Sequence, residues 1–339
     1  MTDTMRAIGF RRSLPVTDPE SLLEVELPRP APGPHDLLVR VEAVSVNPAD
    51  AKVRAAGDPE DVPKVLGYDA AGVVEAVGAE VSLFRAGDEV YYAGNIARPG
   101  TNAEYHLVDE RITGHKPASL DFAAAAALPL TTITAWETLF DRLRLGKDST
   151  GTLVVMAAAG GVGSMVVQLA RRLTGLTVIG TASRPESAEW VTGLGAHHVV
   201  DHHGDLVGAV RDIAPHGADY VFSPFSAGNV QRYADLMGVG GQVVAIDEPE
   251  GLDTLPLKSK SQAWHWELMF TRPLFAPEDT AQHELLDTAA RLVDEGVLRG
   301  TETERLSPIS AATLRTAHEL VERGGMIGKV VLTGGFGQG

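Results

Sequence analysis

The spacing of hydrophobic and polar positions changes character along the chain. Before residue 120, short apolar runs are cut by proline and glycine: DLLVRVEAVSV at 36–46, AGVVEAVGAEV at 71–81, DEVYYAG at 88–94 and AEYHLVDE at 103–110. Short strands with frequent turns predict a small β-rich, barrel-like domain. From 122 to 145 the chain reads FAAAAALPLTTITAWETLFDRLRL, alanine-rich and helical on either side of a break at Pro129, and this stretch is expected to join two domains. Beyond it, apolar strands alternate with helical segments: TLVVM, the run at 177–181, HVVD from His198, DYVFS at 219–223 and GQVVAID at 241–247. That rhythm predicts a doubly wound parallel sheet flanked by helices, an α/β fold. The amphipathic segments HELLDTAARLVDEG and SAATLRTAHELVERG and a last strand, GKVVLT at 328–333, complete the pattern.

The most specific signal lies where the strand TLVVM runs into AAAGGVGSMVVQLARR at 157–172. Gly160 and Gly163 let the backbone turn tightly out of the strand and approach a pyrophosphate, whose charge faces the N-terminus of the helix that follows. Ala157 stands where the usual glycine fingerprint begins, and Gly161 and Val162 complete the turn, so the flanking strand and helix give the motif its meaning. The bland alternative is a turn whose glycines serve packing alone. After the next strand, an NAD-selective site carries a carboxylate for the ribose hydroxyls, whereas here the positions hold Ser183 and Arg184. A guanidinium and a hydroxyl suit a 2′-phosphate, so NADPH is the expected cofactor, with a solvated loop arginine as the competing reading of Arg184.

Composition narrows the partners. The 339 residues are enough for about two domains, and 44% hydrophobic with 22% charged residues is ordinary globular usage. A net charge of −16 argues against nucleic acid or an anionic membrane as partner and leaves small molecules or proteins. The absence of cysteine removes disulfides, thiolate zinc sites and a cysteine nucleophile. No apolar leader or membrane-length apolar run is visible, and the cytoplasm is the expected location.

In their order, SVNPAD at 45–50, LGYDAAGVVEAVG at 66–78, GDEVYYAG at 87–94, TTITAWETL at 131–139, AAAGGVG and GKVVL resemble the medium-chain dehydrogenase/reductase superfamily. Through GTNAEYHLVDER at 100–111 and HWELMFTRP at 265–273 the chain looks most like its quinone oxidoreductase branch, in the group labelled the zinc-binding alcohol dehydrogenase family. The resemblance implies a GroES-like catalytic domain at 1–125 and 273–339 and a Rossmann domain at 126–272. It also implies Thr134 beside the nicotinamide, Gly160 to Gly163 at the pyrophosphate, Ser183 and Arg184 at the adenosine phosphate, and Lys329 reaching the phosphates. A solvated strand-edge position is the other reading of Lys329. A homodimer joined edge to edge through 243–261 is a further implication.

Zinc-dependent members hold their metal with two cysteines and a histidine, and the matching positions here are Asn47, Tyr68 and Leu130. An amide, a phenol and an alkyl chain do not replace two thiolates and an imidazole, so no zinc is expected. His197, His198, His202 and His203 are expected as exposed strand-end residues. Without a Lewis acid, hydride transfer to a quinone or an α,β-unsaturated carbonyl is easier to support than alcohol oxidation. Asn47 and Tyr68 are the candidate polar groups for the acceptor, with packing as the alternative for Tyr68 and loop anchoring as the alternative for Asp50. Tyr92, Asn95, Trp266 and Phe270 are expected either in the acceptor pocket or in core and subunit contacts. Two other readings stay open: an enoyl-thioester reductase using Arg98, Lys258 and Lys260, and a non-catalytic NADPH-binding sensor or scaffold.

Overall fold

The computed structural model describes residues 3–60 and 63–336. Contacts divide the chain into two units, Met1–Leu130 with Phe270–Gly339, and Thr131–Met269. These divisions fall a few residues from the sequence boundaries at 125/126 and 272/273.

The first unit is built on two sheets. One runs Glu302–Leu306, Lys329–Thr333, Asp36–Ser45, Asp69–Val77, Glu89–Tyr92, Thr113–His115, with Tyr105–Asp109 also paired to Asp36–Ser45. The other orders Leu23–Pro28, Thr4–Phe10 and Lys64–Val65. Alternation along Asp36–Ser45 sends Leu37, Val39 and Val41 into a core shared with Ile8, Val74, Val90, Leu314 and Leu332, and Val44 joins it beyond the register shift between Val41 and Ala43. Burying such branched side chains stabilises by roughly 1.5–3 kcal/mol each. Helix Pro48–Ala55 opens with proline at its first turn, where a missing N–H costs nothing. The short helix Phe122–Ala126 is capped by the Asp121 carboxylate, which accepts from Ala124 N–H at 2.8 Å.

The second unit holds a parallel sheet in the order His198–Val200, Thr177–Thr181, Thr152–Val155, Ala218–Ser223, Met237–Ala245, Ala263–Trp266. The strands read as near-continuous apolar runs because helices cover the faces: Gly161–Leu173 buries Met165, Val166, Val167 and Leu169. The structure corrects the sequence reading of the sheet edge. Val243–Ala245 pair on both sides, with Ala218–Ser223 and with Ala263–Trp266, so the edge strand is Ala263–Trp266 rather than any part of 243–261. The break expected at Pro129 is present, falling between helix Phe122–Ala126 and the helix that Pro129 begins. That helix, Pro129–Trp136, continues into a π-helix over Glu137–Arg142. No helix among the described residues is long and apolar enough to cross a membrane.

Candidate active site

In the nucleotide unit, strand Thr152–Val155 ends at Met156, whose N–H donates to Phe222 O at 3.0 Å. Ala157 then takes φ of 50°, the left-handed region, and its N–H donates to Thr181 Oγ1 at 3.1 Å. This conformation is disfavoured for a residue with a Cβ, which is why glycine usually begins the fingerprint. Gly163 is fixed by space, since a Cβ there would lie 2.3 Å from Ala157 O and 2.8 Å from Ala158 Cα. At Gly160 a Cβ would meet nothing nearer than Ala157 O at 3.4 Å. Gly160 caps helix Gly161–Leu173, and Ser164 N–H is bonded back to Gly160 O at 2.8 Å. The N–H groups of Gly161, Val162 and Gly163 precede Ser164, the first helical donor, and a pyrophosphate fits there.

Two strands converge on this turn. Gly180 in Thr177–Thr181 leaves room for Val191 and Ala158, whose side chains would crowd a Cβ at 2.4 and 3.0 Å. The loop beyond it presents Ser183 and Arg184 to solvent. Ser187 Oγ accepts from Arg184 N–H at 3.3 Å and donates to Arg184 O at 2.9 Å, fixing the backbone from which the guanidinium projects. Trp190 of helix Pro185–Leu194 donates to Ser164 Oγ at 2.9 Å, tying that helix to the glycine turn. Thr134 is buried in helix Pro129–Trp136.

In the β-rich unit, three separate stretches bring polar side chains into one buried cluster, and a fourth adds a backbone N–H. Asp69 Oδ2 accepts from Asn47 Nδ2 at 2.9 Å and lies 3.3 Å from Lys329 Nζ, while its Oδ1 accepts from Leu130 N–H at 2.7 Å. Lys329 donates to Val46 O at 2.9 Å and to Asn47 Oδ1. Both ends of the Asn47 amide are therefore engaged inside the protein, as are the donors of Lys329. The lysine, expected at the phosphates or at a solvated strand edge, sits instead within this cluster and is buried. Asp50 accepts from Asn47 N–H at 2.8 Å and Gly67 N–H at 3.0 Å, the loop-anchoring role.

Burial dominates the electrostatics here. Desolvation pushes the Asp50 carboxyl up to about 7, against the two backbone donors and the Lys329 charge. Desolvation likewise raises Asp69 and lowers Lys329, while each one's charge restrains the other's shift. Tyr68 packs its ring 5.0 Å from that of Phe270, with planes inclined at 60°. Burial, and then the Asp50 charge, hold its phenol protonated well above the ordinary value. Asp69 is the residue that sequence reasoning passes over; its only signal is a carboxylate inside the apolar run LGYDAAGVV.

The remaining sequence candidates disperse. Tyr92 is fully buried and stacks on His106, a core position. Asn95 donates to Pro273 O at 3.2 Å and lines a small cavity with Arg98. Arg98 forms a two-pronged pair with Asp36 at 2.8 and 3.1 Å, and Lys260 donates to Ala234 O and Met237 O at 2.7 and 2.9 Å. Lys258 is exposed and Trp266 half-exposed. His197, His198 and His203 are exposed at or near strand His198–Val200, and His202 is half-buried with its ring 4.2 Å from that of His203.

Zinc fails the test of donor chemistry. At the motif positions Asn47 has its amide committed to Asp69 and Lys329, Tyr68 offers a phenol that burial keeps protonated, and Leu130 offers only a backbone N–H, already on Asp69. Among the described residues no group of three or more His, Cys, Asp or Glu side chains is placed to hold a metal ion.

Comparison with known proteins agrees with both units. The profile of the alcohol dehydrogenase GroES-like domain matches residues 33–118, and that of zinc-binding dehydrogenases matches 161–271. A zinc-type alcohol dehydrogenase-like protein of Staphylococcus epidermidis is 38% identical, with 97% of this chain and 99% of that protein covered. A structure from Rhizobium etli, provisionally described as a zinc-dependent alcohol dehydrogenase, is 52% identical with a TM-score of 0.95, covering 98% of this chain and 99% of that one. A quinone oxidoreductase of Pseudomonas syringae is 27% identical with a TM-score of 0.84, over 97% of this chain and all of the other (100%). A GroES-like unit carrying a buried polar cluster, a parallel sheet with a glycine turn for a dinucleotide, and full-length relatives together make this chain an oxidoreductase of the medium-chain dehydrogenase/reductase superfamily.

Proposed function

We propose that this protein is a zinc-independent, NADPH-dependent oxidoreductase that reduces a quinone or an α,β-unsaturated carbonyl. The observation that carries the reading is the chemistry at the three would-be zinc positions: Asn47 and the Leu130 N–H are bonded to Asp69, and Tyr68 packs its ring on Phe270 and keeps a protonated hydroxyl that makes no hydrogen bond among the described residues. Bound NADPH supplies a hydride. Reduction of a conjugated acceptor leaves a delocalised charge, which a hydrogen-bond donor stabilises without a metal. Tyr68, held protonated by burial, suits that task as a donor rather than a base. The tilted aromatic pair offers apolar ring surface to a planar acceptor. Ser183 and Arg184 support NADPH over NADH, because the loop presents a hydroxyl and a cation and no carboxylate. The quinone oxidoreductase among the structural neighbours supports the acceptor class. The enoyl-thioester alternative draws less support, because Arg98 and Lys260 are spent on Asp36 and on backbone carbonyls. The reading includes a cytoplasmic homodimer, with Ala263–Trp266 as the available sheet edge.

The test is oxidation of NADPH and NADH by purified protein against quinones, enones, enoyl thioesters and aldehydes, alongside metal analysis. Turnover of quinones or enones with NADPH and no stoichiometric zinc is expected. Tyr68→Phe is expected to lower kcat by about tenfold to a hundredfold while NADPH affinity holds. One zinc per chain, or an unchanged kcat in Tyr68→Phe, overturns the corresponding part. Tight NADPH binding without turnover of any acceptor favours a sensor instead.

A further inference from the structure

We propose that Phe225 is a positioning residue that stacks on the nicotinamide ring of the bound cofactor; the inference rests on the dinucleotide reading above. Strand order supplies the first step. The glycine turn follows Thr152–Val155, the loop bearing Ser183 and Arg184 follows the neighbour on one side, Thr177–Thr181, and the neighbour on the other side is Ala218–Ser223. Phe222 pairs with Val155 across that boundary, and Met156 N–H bonds to Phe222 O. A dinucleotide whose pyrophosphate rests on the turn and whose adenosine lies toward Ser183 and Arg184 extends its other nucleoside over the loop at 224–229. Ligands of open parallel sheets lie outside the carboxyl ends of the strands in this way.

Phe225 sits in that loop and is 62% exposed. Exposure alone would carry nothing, since Val239 and Phe275 are more exposed still. What sets Phe225 apart is that the backbone beneath it is fixed. Its N–H donates to Ser223 Oγ at 3.2 Å, and its carbonyl accepts from Tyr233 Oη at 2.8 Å and Asn229 Nδ2 at 3.0 Å. The next residue, Ser226, is clamped through its N–H at 2.6 Å and its hydroxyl to the Asp247 carboxylate. Ser223 Oγ and Tyr233 Oη are themselves 2.8 Å apart. An aromatic ring on a pinned stem that makes no ring contact among the described residues presents a flat apolar face at little entropic cost to a ligand. A nicotinamide ring has the matching shape.

Calorimetric titration of wild type, Phe225→Ala and Phe225→Tyr with NADPH and with 2′-phospho-ADP-ribose, which lacks the nicotinamide, tests this. Phe225→Ala is expected to bind NADPH about tenfold more weakly, a size typical of one aromatic stacking contact, while affinity for the fragment is unchanged and Phe225→Tyr restores NADPH binding. Unchanged fragment binding also shows that the variant is folded. Equal losses for both ligands, no loss for either, or failure of tyrosine to restore binding overturns the proposal and leaves the dinucleotide reading intact. If wild type binds neither ligand, both fall together.

Discussion

The two sites solve opposite problems with opposite materials. In the nucleotide unit the glycine turn withholds side chains: Gly163 has no room for one, and the first helical N–H groups are left for a ligand to satisfy. In the β-rich unit side chains satisfy one another. Asn47, Asp69 and Lys329 consume each other's donors and acceptors in a buried cluster, and Tyr68 remains with an uncommitted hydroxyl. A site made of backbone is open by construction and, at Gly163, tolerates no added atoms. A site made of neutralising charges tolerates no lost ones, because removing one partner strands the other in a low dielectric.

The largest expected effect breaks the charge cluster. Lys329→Met leaves Asp69 buried without its cation and is expected to cost about 3–5 kcal/mol, read from the urea midpoint. Adding Asp69→Asn should recover most of that loss; a double variant no better than the single one would show that the ion pair is not what holds the cluster. The glycine turn is expected to fail differently. Gly163→Ala drives a Cβ against backbone atoms of Ala157 and Ala158, costing about 1–3 kcal/mol in thermal unfolding and abolishing the rise in Tm that NADPH gives wild type. A variant still stabilised by NADPH would mean that the turn is not the cradle.

His318 sharpens the contrast, because it is a titratable group of the β-rich unit with no neutraliser. It is fully buried, neither ring nitrogen has a hydrogen-bond partner, and desolvation together with the Arg54 charge pulls its pKa down to about 4. The folded chain keeps it neutral while the unfolded chain protonates it near 6.5. Stability is therefore complete above 6.5 and falls as pH drops toward 4. His318→Leu is expected to remove about 2 kcal/mol of the loss between pH 8 and pH 5. His106, also lowered to about 4 by burial, keeps its own share of the slope in that variant. Parallel pH profiles for variant and wild type would remove His318 from the account. The smallest effect belongs to the open site: Arg184→Ala should weaken NADPH about tenfold more than NADH in binding titrations, and equal losses would detach the guanidinium from the 2′-phosphate.

The same contrast explains what can be read from the chain alone. The glycine turn is legible because it is contiguous: a strand, four critical positions and a helix lie within twenty-odd residues, and their geometry is local. The α/β rhythm is legible for the same reason. The charge cluster is assembled from Asn47, Asp69, Leu130 and Lys329, with 282 residues separating the lysine from Asn47. No local pattern distinguishes a lysine that starts a strand in solvent from one that starts it inside a core, so the burial of Lys329 appears only once Lys329–Thr333 pairs with Asp36–Ser45. The sheet edge is misplaced by similar logic. Ala263–Trp266 is short and rich in aromatic residues, and nothing in its own sequence says that it pairs outside Met237–Ala245.

The tie between Trp190 and Ser164 has an optical consequence. All four tryptophans of the chain, Trp136, Trp190, Trp264 and Trp266, belong to the nucleotide unit, and the β-rich unit has none. Indole emission is therefore a private channel for the glycine turn and its sheet, with Trp190 one hydrogen bond away from the helix that opens at the turn. The charge cluster has no indole of its own, and its unit is followed instead through Tyr68, Tyr91, Tyr92 and Tyr105 or through the far-ultraviolet dichroism of the whole chain. Two spectroscopic traces recorded on one unmodified sample thus carry different weights from the two units without a label.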